Sequence, residues 1–164
     1  KNDISVGGDS CGGNIAAFIS IKRKKENKSS PKAQLLLYPW TNLNIESKSI
    51  EELKEGFSLT KSILEWFRFH YLNDLSEASD PLVSPLLQKD LSNLPPTIIC
   101  TAGFDPLRDG CIEYAEKLKN HNIQVVLQMH TEQFHGFYHM NDVLPEANIA
   151  VEQTCNTIKM LFKN

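Results

Sequence analysis

Short continuous apolar runs alternate along this chain with longer stretches in which apolar residues return every three or four positions, and that alternation predicts its elements. Ile4 to Val6 reads as the end of a strand, and Gly12 to about Lys24 as a helix that buries Ile15, Phe18 and Ile19. Ala33 to Tyr38 (AQLLLY) is an apolar run stopped by Pro39, the pattern of a strand covered on both faces. Residues 41–57 are polar and irregular. Thr60 then precedes a helix in which Ile63, Leu64, Phe67 and Tyr71 recur at helical spacing. Asp80 to Pro96 holds four prolines and reads as loop, followed by a third strand at Thr97 to Thr101 (TIICT). Leu107 to Asn120 reads as a helix and Ile123 to Met129 (IQVVLQM) as a fourth strand. Pro145, a favoured first helical residue, opens a closing helix with Val151, Cys155, Ile158 and Phe162 on one face.

Strands alternating with helices predict an α/β fold: about four parallel strands in a sheet flanked by helices on both faces. With 164 residues, 41% hydrophobic and 23% charged, the chain is long enough for one domain with its own core, and it contains no repeat, low-complexity tract or linker. A formal net charge of −3 offers no attraction for phosphate backbones. The one basic run, Lys22 to Lys25, falls where a helix ends and the macrodipole favours cations, so nucleic acid is not expected as a partner. Cys11, Cys100, Cys111 and Cys155 form no CxxC pair, which predicts neither zinc nor a disulfide scaffold but reduced thiols in a cytoplasmic protein. No apolar run is long enough to span a bilayer. The chain opens on Lys1 rather than methionine, so residue 1 is not taken as its natural beginning.

Four of the eight glycines lie in VGGDSCGGN, residues 6–14. Within it, Gly8-Asp9-Ser10-Cys11-Gly12 fits G-x-S-x-G, a sharp strand-to-helix turn with a nucleophile at its tip. The close approach of strand and helix asks for glycine at both ends of the pentapeptide. The same turn puts the serine at a helix N-terminus, where the backbone N–H of Cys11 can donate to a developing oxyanion. The rival reading, a phosphate-binding loop, lacks the GKS/T or GxGxxG spacing, and Asp9 would repel phosphate.

A serine nucleophile needs a base, and the base an orienting carboxylate; in α/β-hydrolases the chain order is serine, acid, histidine. Asp105 directly follows TIICTAGF, and His135 lies beyond IQVVLQM with Gly136 allowing a tight loop; both fall at C-terminal ends of strands, where α/β sheets place their sites. Asp109 competes as the acid but stands where a helix begins. His130 and His139 compete as the base, the first within a strand and the second past the loop. His130, Glu132, His135 and His139 also read as metal ligands, although no helical HExxH frame supports them. Asp9 is expected to take a structural hydrogen bond, and His70 and His121 to lie on the surface.

Taken together, GDSCGGN (8–14), LLLYPW (35–40), SLTKSILEWFRFHYL (58–72), DPLVSPL (80–86), LSNLPPTIICTAGFDPLRDG (91–110) and FHGF (134–137) resemble the hormone-sensitive-lipase-like family of α/β-hydrolases. That family comprises bacterial carboxylesterases and a mammalian lipase relative. The resemblance implies a carboxylic ester hydrolase for short to medium acyl esters, with Ser10 as nucleophile, Asp105 as acid, His135 as base and no cofactor or metal. Cys11 stands where the family usually has alanine, a change its backbone N–H tolerates. Residues 41–78, apolar at Phe57, Leu59, Trp66 and Phe67, would contribute to a cap and acyl pocket.

Members of the family are much longer and carry an HGGG-type oxyanion loop before the elbow, which nothing here matches. Residues 1–164 are therefore expected to be the C-terminal part of one catalytic domain. The alternative is a catalytically inactive fragment or interaction subunit. In either case Ile4 to Val6 is expected to form an open sheet edge, available to a missing N-terminal half or to self-association.

Overall fold

The computed structural model describes residues 4–162. Four strands, β1 (Val6–Asp9), β2 (Gln34–Leu37), β3 (Thr97–Phe104) and β4 (Val125–Phe134), form one sheet in the order β1-β2-β3-β4. All neighbours are parallel, with Gly8 opposite Leu36 and Leu36 opposite Ile99. The helices are α1 (Cys11–Lys25), α2 (Lys48–Glu52), α3 (Lys61–Tyr71), α4 (Arg108–Asn120) and α5 (Pro145–Phe162). This is the predicted α/β sheet.

Two core layers form because side chains of a strand alternate between faces. Leu36 and Ile99 point into the layer shared with α1 and α4, where Ala17, Ile21, Tyr114 and Leu118 are buried. Ile98, Cys100 and Ala102 point the other way, against Ala147 and Ala150 of α5. Thr154 of α5 joins Tyr138, Gln128 and Cys100 in a polar network that pins this helix to β3 and β4, each donor paired as burial requires.

Several expectations are corrected. The first strand begins at Val6 and runs to Asp9, leaving Ile4 exposed. Helix α1 buries Gly13, Ala16, Ala17, Ser20 and Ile21, whereas Ile15 is 49% exposed and Phe18 and Ile19 are half-buried. A helix lying flat on a sheet brings its smallest side chains to the contact, so apolarity alone misassigns the face. In α5 the inward positions are likewise Ala147, Ala150, Thr154 and Thr157, with Ile158 half-buried and Val151 and Cys155 exposed. The side chain of Phe162 lies outside the described part. The irregular 41–57 segment contains α2, whose N-cap Ser47 accepts from the Ile50 N–H.

Strand β4 extends five residues past Met129 because its register with β3 breaks between Ala102 and Phe104. Gly103 sits at that irregularity, where a Cβ would lie 1.9 Å from the Thr131 carbonyl oxygen. Gly103→Ala is therefore expected to lower stability by on the order of 1–3 kcal/mol or more. Urea unfolding checks it: the midpoint should fall at unchanged slope.

Candidate active site

Strand β1 ends at Asp9 and helix α1 begins at Cys11, so Ser10 alone turns the chain, at φ 52° and ψ −117°. A non-glycine residue held there is strained and must be over-determined by its surroundings. Its N–H donates to the Leu37 carbonyl (2.8 Å), and its carbonyl accepts from the N–H groups of Asn14 (3.1 Å) and Trp40 (3.3 Å). Asn14, buried beneath, donates through Nδ2 to the carbonyls of Trp40 (2.7 Å) and Val83 (2.8 Å). A Cβ on Gly8 would lie 2.4 Å from the Gly12 carbonyl group, and one on Gly13 would lie 2.9 Å from Pro39. At Gly12 the nearest neighbour is Asp9 Oδ1 at 3.9 Å. The second glycine the turn requires is thus Gly13, not Gly12, because the helix meets Pro39 one residue later. Cys11 opens α1, so its N–H is among the first-turn donors that have no intrahelical acceptor.

Asp105 follows β3 and is fully buried. Its Oδ1 accepts from the Leu107 N–H (2.8 Å), and its Oδ2 lies 2.8 Å from His135 Nδ1. A carboxylate only accepts, so the proton resides on Nδ1 and the Nε2 lone pair faces Ser10 Oγ, 3.0 Å away. Three features hold His135 at the end of β4. Gly136 takes a left-handed conformation (φ 86°), the Tyr38 ring packs 4.7 Å from the imidazole, and Ser58 Oγ donates to the His135 carbonyl (2.7 Å). Burial, with the charges of Asp9 and Asp105 behind it, pushes the Tyr38 phenol well above its ordinary range, so it stays neutral against the imidazole.

The competing residues are engaged elsewhere. Asp109 accepts from the Ser49 N–H (2.7 Å) and from Arg108 Nε (2.9 Å). His130 Nε2 lies 3.2 Å from the Tyr138 hydroxyl, and burial lowers its pKa. His139 Nε2 lies 3.0 Å from Asp9 Oδ2, and His121 bonds the carbonyls of Lys117 and Lys89. Among the described residues no group of three His, Cys, Asp or Glu could hold a metal ion, and no helix is long and apolar enough to cross a membrane. All four cysteines are free, Cys11 and Cys155 exposed and Cys100 and Cys111 buried.

Ser10, Cys11 and His135 line one side of a cleft of about 680 Å³. Leu43, Leu59, Ile63, Leu64, Phe67 and Tyr71 line it from the segment after β2 and from α3. Two aromatic residues expected here lie elsewhere. Phe57 stacks on Phe104 (5.1 Å), and Trp66, 58% exposed, packs against His70 on the outer face of α3. Sequence reasoning missed the parts played by Tyr38, Asn14 and Ser58, although all three lie inside segments that carry the family resemblance.

Known proteins resemble this chain in sequence and in fold. A family model described as alpha/beta hydrolase fold matches residues 1–139. The carboxylic ester hydrolase LipN of Mycobacterium tuberculosis is 39% identical over 142 residues, which cover 84% of this chain and 38% of that protein. An ethyl acetate hydrolase of Pseudomonas putida is 30% identical over 146 residues, covering 88% of this chain and 46% of its own length. Among solved structures, an esterase of Pyrobaculum calidifontis superposes with a TM-score of 0.93 at 36% identity, over 98% of this chain and 53% of that one. The chain spans about half the length of the curated relatives it matches, or less. On this fold, this topology and these matches, the chain belongs to the alpha/beta hydrolase fold family, in its hormone-sensitive-lipase-like branch.

Proposed function

We propose that this chain carries the reacting groups of a carboxylic ester hydrolase for short to medium acyl esters. The observation that supports it is the continuous relay from Ser10 Oγ to His135 Nε2 (3.0 Å) and from His135 Nδ1 to buried Asp105 (2.8 Å), beside an apolar cleft. Ser10 Oγ attacks the ester carbonyl as His135 Nε2 takes its proton. Asp105 keeps the imidazole in the receptive tautomer and stabilises the imidazolium that forms. The oxyanion develops against the Cys11 N–H at the start of α1, where the helix dipole also favours negative charge. His135 then returns the proton to the departing alcohol, leaving an acyl group on Ser10. A water deprotonated by His135 releases the acid in the reverse sense. No step calls for a cofactor or metal. Residues 41–78 act as a partial cap whose apolar side chains receive the acyl chain. The small ester in the name of the Pseudomonas putida relative is consistent with this range. Four free thiols fit a reducing, cytoplasmic setting.

One observation favours a second reading. No His-Gly-Gly-Gly segment occurs in the sequence, so Cys11 is the sole oxyanion donor assigned here. A chain so limited could serve as a non-catalytic subunit, pairing through the open side of β1 with a strand of another chain or of a second copy. Labelling with a fluorophosphonate separates the two. The ester-hydrolase reading expects slow modification of Ser10, detected by mass spectrometry and absent in Ser10→Ala. A chain that takes no label belongs to the second reading.

A further inference from the structure

Beside the Ser10–His135 bond runs a second one between the same two segments. Asp9 ends β1 immediately before the strained serine, and His139 closes the 3-10 turn Phe137–His139 that follows His135. Asp9 Oδ2 and His139 Nε2 lie 3.0 Å apart across 130 residues of sequence, and Ser10 Oγ and His135 Nε2 lie 3.0 Å apart across 125. We infer that the Asp9–His139 pair is a positioning clasp that keeps the serine elbow and the histidine loop in register during turnover; this rests on the ester-hydrolase reading.

The chemistry itself requires such an element. The Ser10–His135 bond is broken and remade each time the proton moves, so it cannot also hold the two segments at reacting distance. Buried Phe137 and Tyr138 anchor the histidine loop to the core, whereas its side-chain bonds toward the elbow are Ser10–His135 and Asp9–His139. The loop leaves the sheet from β4, an edge strand, past an irregularity in the pairing, and turns at a left-handed glycine. The Asp9–His139 bond persists while the serine proton is in transit. It also engages a carboxylate that lines the cleft next to Ser10, where an unpartnered anion would oppose the oxyanion. Side chains 43% and 67% exposed make a hydrogen bond that contributes little to folding. The clasp should therefore be visible in rate and not in stability, which separates it from an ordinary structural contact.

The test is a double-mutant cycle of Asp9→Ala and His139→Ala, read by the rate of fluorophosphonate labelling at Ser10 and by steady-state hydrolysis of p-nitrophenyl butyrate. Because small displacements of reacting groups are costly, each single substitution should slow labelling and kcat by about tenfold with KM unchanged. The double variant should lose no more than either single one. His139→Gln, whose amide can still donate to Asp9, should keep most of the rate, and the thermal midpoint should stay put in every variant. Wild-type rates in both single variants, or losses that simply multiply in the double variant, overturn the clasp. If the unaltered chain labels no faster than Ser10→Ala, the ester-hydrolase reading fails, and NMR decides the clasp by itself. Displacement of the resonance of His135 Nε2, the nitrogen that faces Ser10, in His139→Ala would support it, and an unchanged Nε2 resonance would overturn it.

Discussion

Hydrolysis of p-nitrophenyl butyrate by the 164-residue chain is expected to fall steeply, toward the uncatalysed rate, when Ser10 is replaced by alanine. In a serine hydrolase with a complete oxyanion hole, removing the nucleophile costs about 10⁶ in turnover. With Cys11 as the donor the proposal names, the 164-residue chain is expected to start from a lower rate, since loss of one oxyanion donor costs about 10²–10³. The measurable drop is therefore about 10³–10⁴, the difference of those two exponents. Ser10→Ala removes only an Oγ at the tip of the turn, and the backbone bonds to Leu37, Asn14 and Trp40 do not involve that atom. Alanine is no better suited than serine to φ 52°, so the fold should be retained with stability little changed. Turnover abolished by the substitution would support an assembled site in this chain. Turnover absent from the start, or indifferent to Ser10→Ala, would direct attention to the non-catalytic reading and to a partner at β1.

Asp105→Asn is the second large effect, and it works through the imidazole. The carboxylate accepts from His135 Nδ1 and from the Leu107 N–H, one oxygen for each. An asparagine at this position keeps the Leu107 bond with its carbonyl oxygen but presents an NH₂ to the imidazole. Nδ1 must then accept, the ring proton moves to Nε2, and the lone pair that should take the serine proton is gone. The same change in a complete triad lowers kcat about 10⁴-fold. With weak oxyanion support, the variant should fall nearly to the level of Ser10→Ala. Because the two groups act as a unit, adding Asp105→Asn to Ser10→Ala should cost nothing further. The corresponding change at Asp109, which holds the start of α4 to Ser49, should leave kcat within a few-fold of the unaltered chain and act instead on stability. A large kcat loss at Asp109 with Asp105→Asn near wild type would reverse the assignment of the acid.

The two aspartates illustrate what could be read in advance. Both stand after β3, four residues apart in Gly-Phe-Asp-Pro-Leu-Arg-Asp-Gly, and chain order permits either. Which one meets His135 depends on how the chain leaves the strand, and that follows from the register break at Gly103 and the turn closed by the Leu107 N–H. That Ser10, Asp105 and His135 are candidates for one site was legible because each stands in a motif at a strand end. The residues that steady them were not. Tyr38 reads as the tail of a buried strand and Asn14 as an ordinary helical residue, yet one packs on the imidazole and the other anchors the turn. Helix faces failed in one direction. In α1 and α5 the apolar periodicity pointed to large side chains, whereas contact with the sheet selected mainly alanine, glycine, serine and threonine, with Ile21 the one large apolar side chain fully buried among the described residues of these helices.

What the sequence by itself determined is local: strands where apolar runs are short and stopped, helices where apolar residues recur, a sharp turn where glycine brackets a serine, and one α/β sheet from their alternation. Each of these depends on interactions within a few residues, which composition and spacing record directly. Only the tertiary structure decided which groups meet. Ser10 and His135 are 125 residues apart, Asp105 and His135 are 30 apart, and Asp9 and His139 are 130 apart. Such meetings are set by parallel strand register, by Gly8 and Gly103 admitting backbone where a side chain would block it, and by Gly136 turning the loop. They belong to the packing of the whole sheet, which no window of neighbouring residues encodes.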